Sequence, residues 1–130
     1  MTIKGIVRTD RAKTIEPAAD YLLPFGKGLR IQKAGENGPA CSIITYGMGV
    51  HWALESLRDM QDVTADAIDL RTLLPWDKET VAESVGRTHR ALVLHEDTLT
   101  GGIGAEIAAW IAENCFEQLD APVRRVASLD

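Results

Sequence analysis

The sequence predicts an α/β fold: a three-layer sandwich in which a mainly parallel sheet of about four or five strands carries helices on both faces. Three observations predict it. Short β-branched apolar runs alternate with amphipathic helical stretches from Cys41 onward. Each helical stretch is long enough to serve as the crossover that parallel pairing requires. The strands so connected lie between helical layers and need cover on both faces. The 130-residue length is that of one domain, and 45% hydrophobic with 25% charged residues is an ordinary soluble balance.

The elements follow in order. Residues 1–40 are rich in glycine, proline and charge without a sustained period; "YLLPFGKGLRIQKAGENGPA" reads as short extended pieces joined by turns, an arm with room for a small hairpin. "CSIITY", from Cys41, is a buried strand ending at Gly47 and Gly49. Val50, Ala53, Leu54 and Leu57 then fall at helical spacing, with His51, Glu55, Arg58 and Asp59 turned outward. "TADAIDL" is a second strand, "RTLLPW" a loop broken by Pro75, and Asp77 an N-cap for "KETVAESVGRTH". "RALVLH" is a third strand. A glycine segment leads into the stripe Ile103, Ile107, Trp110, Ile111 and Cys115, and "APVRRVA" is the last strand.

Charge and cysteines narrow the function. A net charge of −5 disfavours a nucleic-acid surface and suits a basic protein partner. No apolar run reaches a membrane span, and "MTIKGIVRTDRAK" lacks the apolar core of a secretory signal. Cys41 and Cys115 sit in apolar contexts with no metal-ligand spacing, as buried free thiols in a reducing compartment do. The cytoplasm is expected, or the mitochondrial matrix.

Two places deserve a chemical reading, because ligands of open parallel sheets gather beyond the carboxyl ends of strands. "YGMGVH" has two glycines of a dinucleotide fingerprint and lacks the third, and only Asp69 is available for a ribose. Tight-turn packing explains it better. "HEDTLTGGIG" pairs His95 with Glu96, but neighbours on a strand face opposite ways, which opposes a base-and-orienter pair. Gly101, Gly102 and Gly104 precede a helix whose first N–H groups attract anions. No lysine or arginine stands between Arg90 and Arg124 to support that role, so the glycines read as a structural corner. No serine lies in a nucleophile elbow, and His51, His89 and His95 are dispersed. No catalytic, cofactor-binding or metal-ligating residue is assigned. Trp52 and Trp110 are candidate interface residues.

The segments "DYLLPFGKG", "SIITYGMGVHWALESL", "AIDLRTLLPWDKETVAESVGRTHRALVLHED", "TGGIGAEIAAWIAE" and "LDAPVRRVAS" together resemble the C-terminal domain of the β chain of thiamine-diphosphate-dependent 2-oxo acid dehydrogenases, of branched-chain (2-oxoisovalerate) or pyruvate type. The resemblance covers residues 20–130, leaving 1–19 as an N-terminal arm. It implies a transketolase-like C-terminal domain whose parent enzyme holds thiamine diphosphate and Mg²⁺ between other domains, one of which carries a "GDG" motif absent here. It therefore implies no cofactor in this chain, no decarboxylation by it alone, and a fragment of a longer protein, since the family runs past "RVASLD" into a proline-containing tail and a last helix. The partners implied are a second copy of the domain, the parent's thiamine-binding domains, and the subunit-binding domain of the acyltransferase core. Asp120 matches an acidic residue that receives a basic side chain of that last partner. A second reading of Asp120, as the cap of a turn after the preceding helix, stands beside it. Alternatives for the chain are a free-standing small-ligand or receiver-type module, which would need an acidic pair where Tyr46 and Gly47 stand, or the equivalent domain of transketolase, deoxyxylulose-phosphate synthase or an oxoacid–ferredoxin oxidoreductase.

Overall fold

The alternation of strand and helix runs through the whole domain, here as a computed structural model that describes residues 17–32, 34–35, 40–60 and 62–129. Most of the expected arm, residues 1–16, lies outside the described residues. The elements are β1 (Leu29–Gln32), β2 (Ala40–Thr45), α1 (Met48–Asp59), β3 (Thr64–Asp69), α2 (Lys78–Thr88), β4 (Ala91–Thr98), α3 (Ile103–Asn114), a 3-10 turn (Phe116–Gln118) and β5 (Arg124–Ser128).

The five strands form one sheet in the order β1-β3-β2-β4-β5. β2 pairs in parallel with β3 and β4, β4 pairs in parallel with β5, and only β1 is antiparallel, against β3. The path explains where the helices lie. The step from β2 to β3 runs one way along the sheet, and the steps β3 to β4 and β4 to β5 run the other way. Right-handed crossovers therefore put α1 on one face and α2 with α3 on the opposite face.

Packing follows that division. Beneath α2 and α3, Ile44, Ile68 and Val93 of the sheet meet Val81, Val85, Ile107 and Ile111, all fully buried. Each such side chain contributes about 1.5–3 kcal/mol by leaving water. Beneath α1, Ile43 and Ala65 meet Ala53, with Leu57, Leu92 and Leu94 half-covered. That face has one helix where the other has two. An apolar groove of about 290 Å³ remains beside α1, lined by Leu92, Leu94, Met60 and Val126.

Local chemistry sets the ends. Asp77 caps α2 as expected, accepting from the Thr80 amide at 3.1 Å and the Thr80 hydroxyl at 2.8 Å. It also accepts from the Gly28 amide at 3.0 Å, tying the entry to β1 onto the helix. His89 closes α2 in the left-handed conformation, φ 60°. A buried polar cluster ties α2 to the sheet. The Asp66 carboxylate, fully buried on β3, accepts from the Ala34 amide (2.8 Å), the Ser84 hydroxyl (2.6 Å) and the Arg87 guanidinium. Ser42 in turn shares hydrogen bonds with Ser84 and Thr88.

The structure amends several sequence expectations. β1 is a real edge strand within the glycine-rich entry. β4 runs three residues past His95, to Thr98. Cys115 is buried, but Cys41 is only half-buried.

Candidate functional site

Helices leave opposite faces of the sheet after β2 and β4, which lie side by side. The switch point between them, at their carboxyl ends, is where an open α/β sheet makes its binding crevice. Thr45, Tyr46 and the Gly47–Gly49 turn arrive from β2, and His95, Glu96, Asp97 and the glycine corner arrive from β4.

Here the crevice is filled from within. His95 is 1% exposed, and its ring stacks on Tyr46 with centroids 6.0 Å apart and planes 12° from parallel. The other side of the ring presses on α3, where a Cβ on Gly104 would overlap the imidazole and one on Gly102 would stand 3.1 Å from its Cε1. Gly49 plays the same part for Thr45, whose hydroxyl occupies the space a Cβ there would need. Gly49, Gly102 and Gly104 are thus close-approach residues, whereas a Cβ on Gly101 would meet nothing within 4 Å. The left-handed position is Gly101, φ 76°, whereas Gly102 has φ −69°; what forbids a side chain at Gly102 is the Thr98 carbonyl and the His95 ring.

The electrostatics match a packed corner. Burial pushes the His95 imidazole below its ordinary value; Asp97 raises it and Arg125 lowers it further, both less strongly. Burial, then Asp97 and Glu96, push the Tyr46 phenol up. Glu96, next to the buried His95, is exposed. Asp69 is engaged by Arg71, through its amide at 3.1 Å and its Nε at 2.7 Å, and so is not free for a ribose. The thiols are unactivated. Burial raises Cys41 more than Arg90 lowers it, and burial alone raises Cys115.

A thiamine diphosphate–Mg²⁺ site needs oxygen ligands grouped around the cation. Among the described residues no three His, Cys, Asp or Glu side chains gather. The Asp97 carboxylate at the glycine corner, 3.3 Å from where a Gly102 Cβ would be, opposes a diphosphate. These residues do not fit the group.

The opposite, amino end of the sheet holds Asp120. The last turn of the chain before β5 is pinned there: the Asp120 amide donates to the His89 carbonyl at 2.8 Å, and His89 Nδ1 lies 2.7 Å from the Gln118 carbonyl. The Asp120 side chain is exposed. Phe116, 74% exposed, and Glu117 lie on the 3-10 turn that precedes it. Beside it a cleft of about 240 Å³ runs between Cys41, Arg90, Pro122 and Arg124.

Of the candidate interface tryptophans, Trp52 projects from α1, 40% exposed. Trp110 is half-buried against the core, edge-to-face with Trp76 at 5.0 Å and covered by Lys78 at 5.5 Å. Only Trp52 offers substantial open surface.

The family model for the transketolase C-terminal domain matches residues 30–130. The chain belongs to this family. Among its relatives is the 2-oxoisovalerate dehydrogenase β subunit of Bacillus subtilis, 40% identical over 116 residues, which cover 88% of this chain and 34% of that protein. The mitochondrial 2-oxoisovalerate dehydrogenase β subunit of Dictyostelium discoideum is 42% identical over 117 residues, 88% of this chain and 30% of that one. The mitochondrial pyruvate dehydrogenase E1 β subunit of Caenorhabditis elegans is 38% identical over 114 residues, 85% and 31% of the two chains. The chain spans about a third of the length of these relatives. A solved split-gene transketolase, described as an inactive β4 tetramer, superposes with a TM-score of 0.69 at 25% identity, over 85% of this chain and 35% of that one. Membership sets aside a receiver-type module. No helix among the described residues is long and apolar enough to cross a membrane.

Proposed function

We propose that residues 20–130 act as the non-catalytic assembly domain of a thiamine-diphosphate-dependent 2-oxo acid dehydrogenase β chain. The parent would oxidatively decarboxylate a 2-oxo acid such as 2-oxoisovalerate and pass the acyl group to a lipoyl carrier, in the cytoplasm of a bacterium or the matrix of a mitochondrion. This domain would pair with a second copy, meet the parent's thiamine-binding domains, and dock the subunit-binding domain of the acyltransferase core at Asp120.

The observation that carries the reading is the contrast between the two ends of the sheet. The end where ligands ordinarily bind is packed solid by His95, Thr45 and three glycines. The other end presents an exposed carboxylate on a backbone held by hydrogen bonds, with the exposed Phe116 on the turn before it. A carboxylate placed rigidly toward solvent suits an arginine or lysine of a partner. Catalysis would belong to other domains. Calorimetry of the chain with thiamine diphosphate and Mg²⁺ tests this: no binding is expected up to roughly millimolar cofactor, a concentration matching a free energy of only about −4 kcal/mol. A micromolar dissociation constant would contradict the assembly-only reading.

A further inference from the structure

We propose that His95 is an acid-sensitive wedge, which keeps the switch-point corner of the sheet closed while neutral and loosens it when its ring takes a proton from solvent. This goes beyond the assembly reading and does not depend on it.

The geometry is unusual for a histidine. The ring is 1% exposed, yet neither Nδ1 nor Nε2 has a hydrogen-bonding partner within the described protein. It fills the space left by two glycines of α3 and stacks on Tyr46, so it works as a flat apolar-like plug. A phenyl ring would plug the same space. What distinguishes histidine is that the plug can acquire a charge within two pH units of neutrality.

The surroundings do not welcome that charge. From α3 the ring faces Gly104 in the first helical turn, at the positive end of the helix dipole. From β5, Arg125 adds a positive charge and donates to the Leu99 carbonyl at 2.7 Å, holding the loop that leads to the corner. On β4 itself Asp97 attracts a proton and Glu96 is exposed. From β2 comes the Tyr46 phenol, neutral at these pH values. α1, on the other face of the sheet, opens with Met48, Gly49 and Val50, which carry no charge, ahead of the titratable His51, and Glu106 of α3 is exposed. Burial outweighs Asp97, so the imidazole lies below its usual range. The sign follows. Above about pH 6.5 the histidine is neutral in folded and unfolded chains alike and does not affect stability. As pH falls below that value the unfolded chain takes up its proton first, and stability declines until the folded ring is protonated too. The strain is local. The elements that must part to hydrate the ring are the end of β4 and the first turn of α3.

Two measurements on the whole chain test this. The Cε1 proton of His95, followed by NMR from pH 8 to 4.5, should titrate with a midpoint below that of an unperturbed histidine. Amide hydrogen exchange, corrected for its intrinsic pH dependence, should show the Gly104–Glu106 turn losing at least tenfold in protection between pH 7.5 and 5.5, with the centre of α2 unchanged. His95→Phe should abolish that loss. The proposal is overturned if His95→Phe loses protection at the corner in parallel with wild type, or if the wild-type loss follows the titration of His51 or His89. Where His95→Phe does not fold, the comparison of midpoints within the wild-type chain still decides between these outcomes.

Discussion

Gly49, Gly102 and Gly104 leave no room for a Cβ against Thr45, Thr98 and His95, and they set the sharpest expectations for single residues. Gly104→Ala puts a methyl group into the His95 ring, which has no room to retreat between α3 and Tyr46. Overpacking of this kind costs about 1–3 kcal/mol. A urea midpoint lowered accordingly is expected, with no recovery on adding phosphate. Gly101→Ala is strained for another reason, its positive φ, and a Cβ there meets nothing within 4 Å. Asp66 is the second sensitive residue. Burial alone would raise its pKa, but hydrogen bonds from Ser84, the Ala34 amide and Arg87, with the charge of Arg30, hold it below the usual carboxylate range. Its contribution to stability is therefore complete above about pH 4 and is lost as pH falls through the lowered folded value. Asp66→Asn, which leaves Arg87 and Arg30 without their buried counter-charge, should cost on the order of 3–5 kcal/mol at pH 7. It should also flatten the acid limb of a melting-temperature profile. A profile unchanged in shape would remove Asp66 from the acid response.

At the scale of elements, periodicity made most of the fold legible. The stripe from Val50 to Leu57 lies within α1, the Asp77 cap begins α2 where expected, and the Ile103 stripe opens α3 at its first residue. β1 was legible only as one of several short extended pieces: its four residues, Leu29–Gln32, alternate apolar and polar but are too few to mark bounds among the glycines and prolines, and its pairing partner β3 lies more than thirty residues on. The Asp66 cluster was hidden for a related reason. A lone aspartate in an apolar strand has no local signal, and its partners Ser84, Arg87 and Ala34 are 18, 21 and 32 residues away. The glycine corner was visible in the sequence as a segment, but that His95 is what Gly102 and Gly104 accommodate appears only when β4 and α3 are packed together. α1 carries the element-scale prediction. Among the described residues it is the only helix on its face, Trp52 is 40%, Met48 42% and Met60 50% exposed, and the neighbouring groove is apolar. Self-association through this face is expected, and Trp52→Glu should shift sedimentation of the chain from dimer toward monomer. A wild-type monomer at high concentration would exclude the face as a pairing surface.

On the scale of the whole molecule, the two ends of the sheet have different fates. Filling the switch point with side chains gives a rigid scaffold, and a rigid scaffold can hold a surface carboxylate where a partner's cation will find it. On the proposed reading, the domain contributes to a larger enzyme through its surface and not through chemistry of its own. Asp120 is the point where that account is most exposed to test. The decisive measurement is the affinity of the acyltransferase's subunit-binding domain for the intact parent enzyme, wild type against Asp120→Ala, at two salt concentrations and beside a thermal melt of each. A docking carboxylate predicts a loss of about 1–3 kcal/mol that shrinks as salt rises, with the melt almost unmoved. A destabilised protein whose folded molecules bind as tightly as wild type would contradict it and return Asp120 to the role of a turn residue.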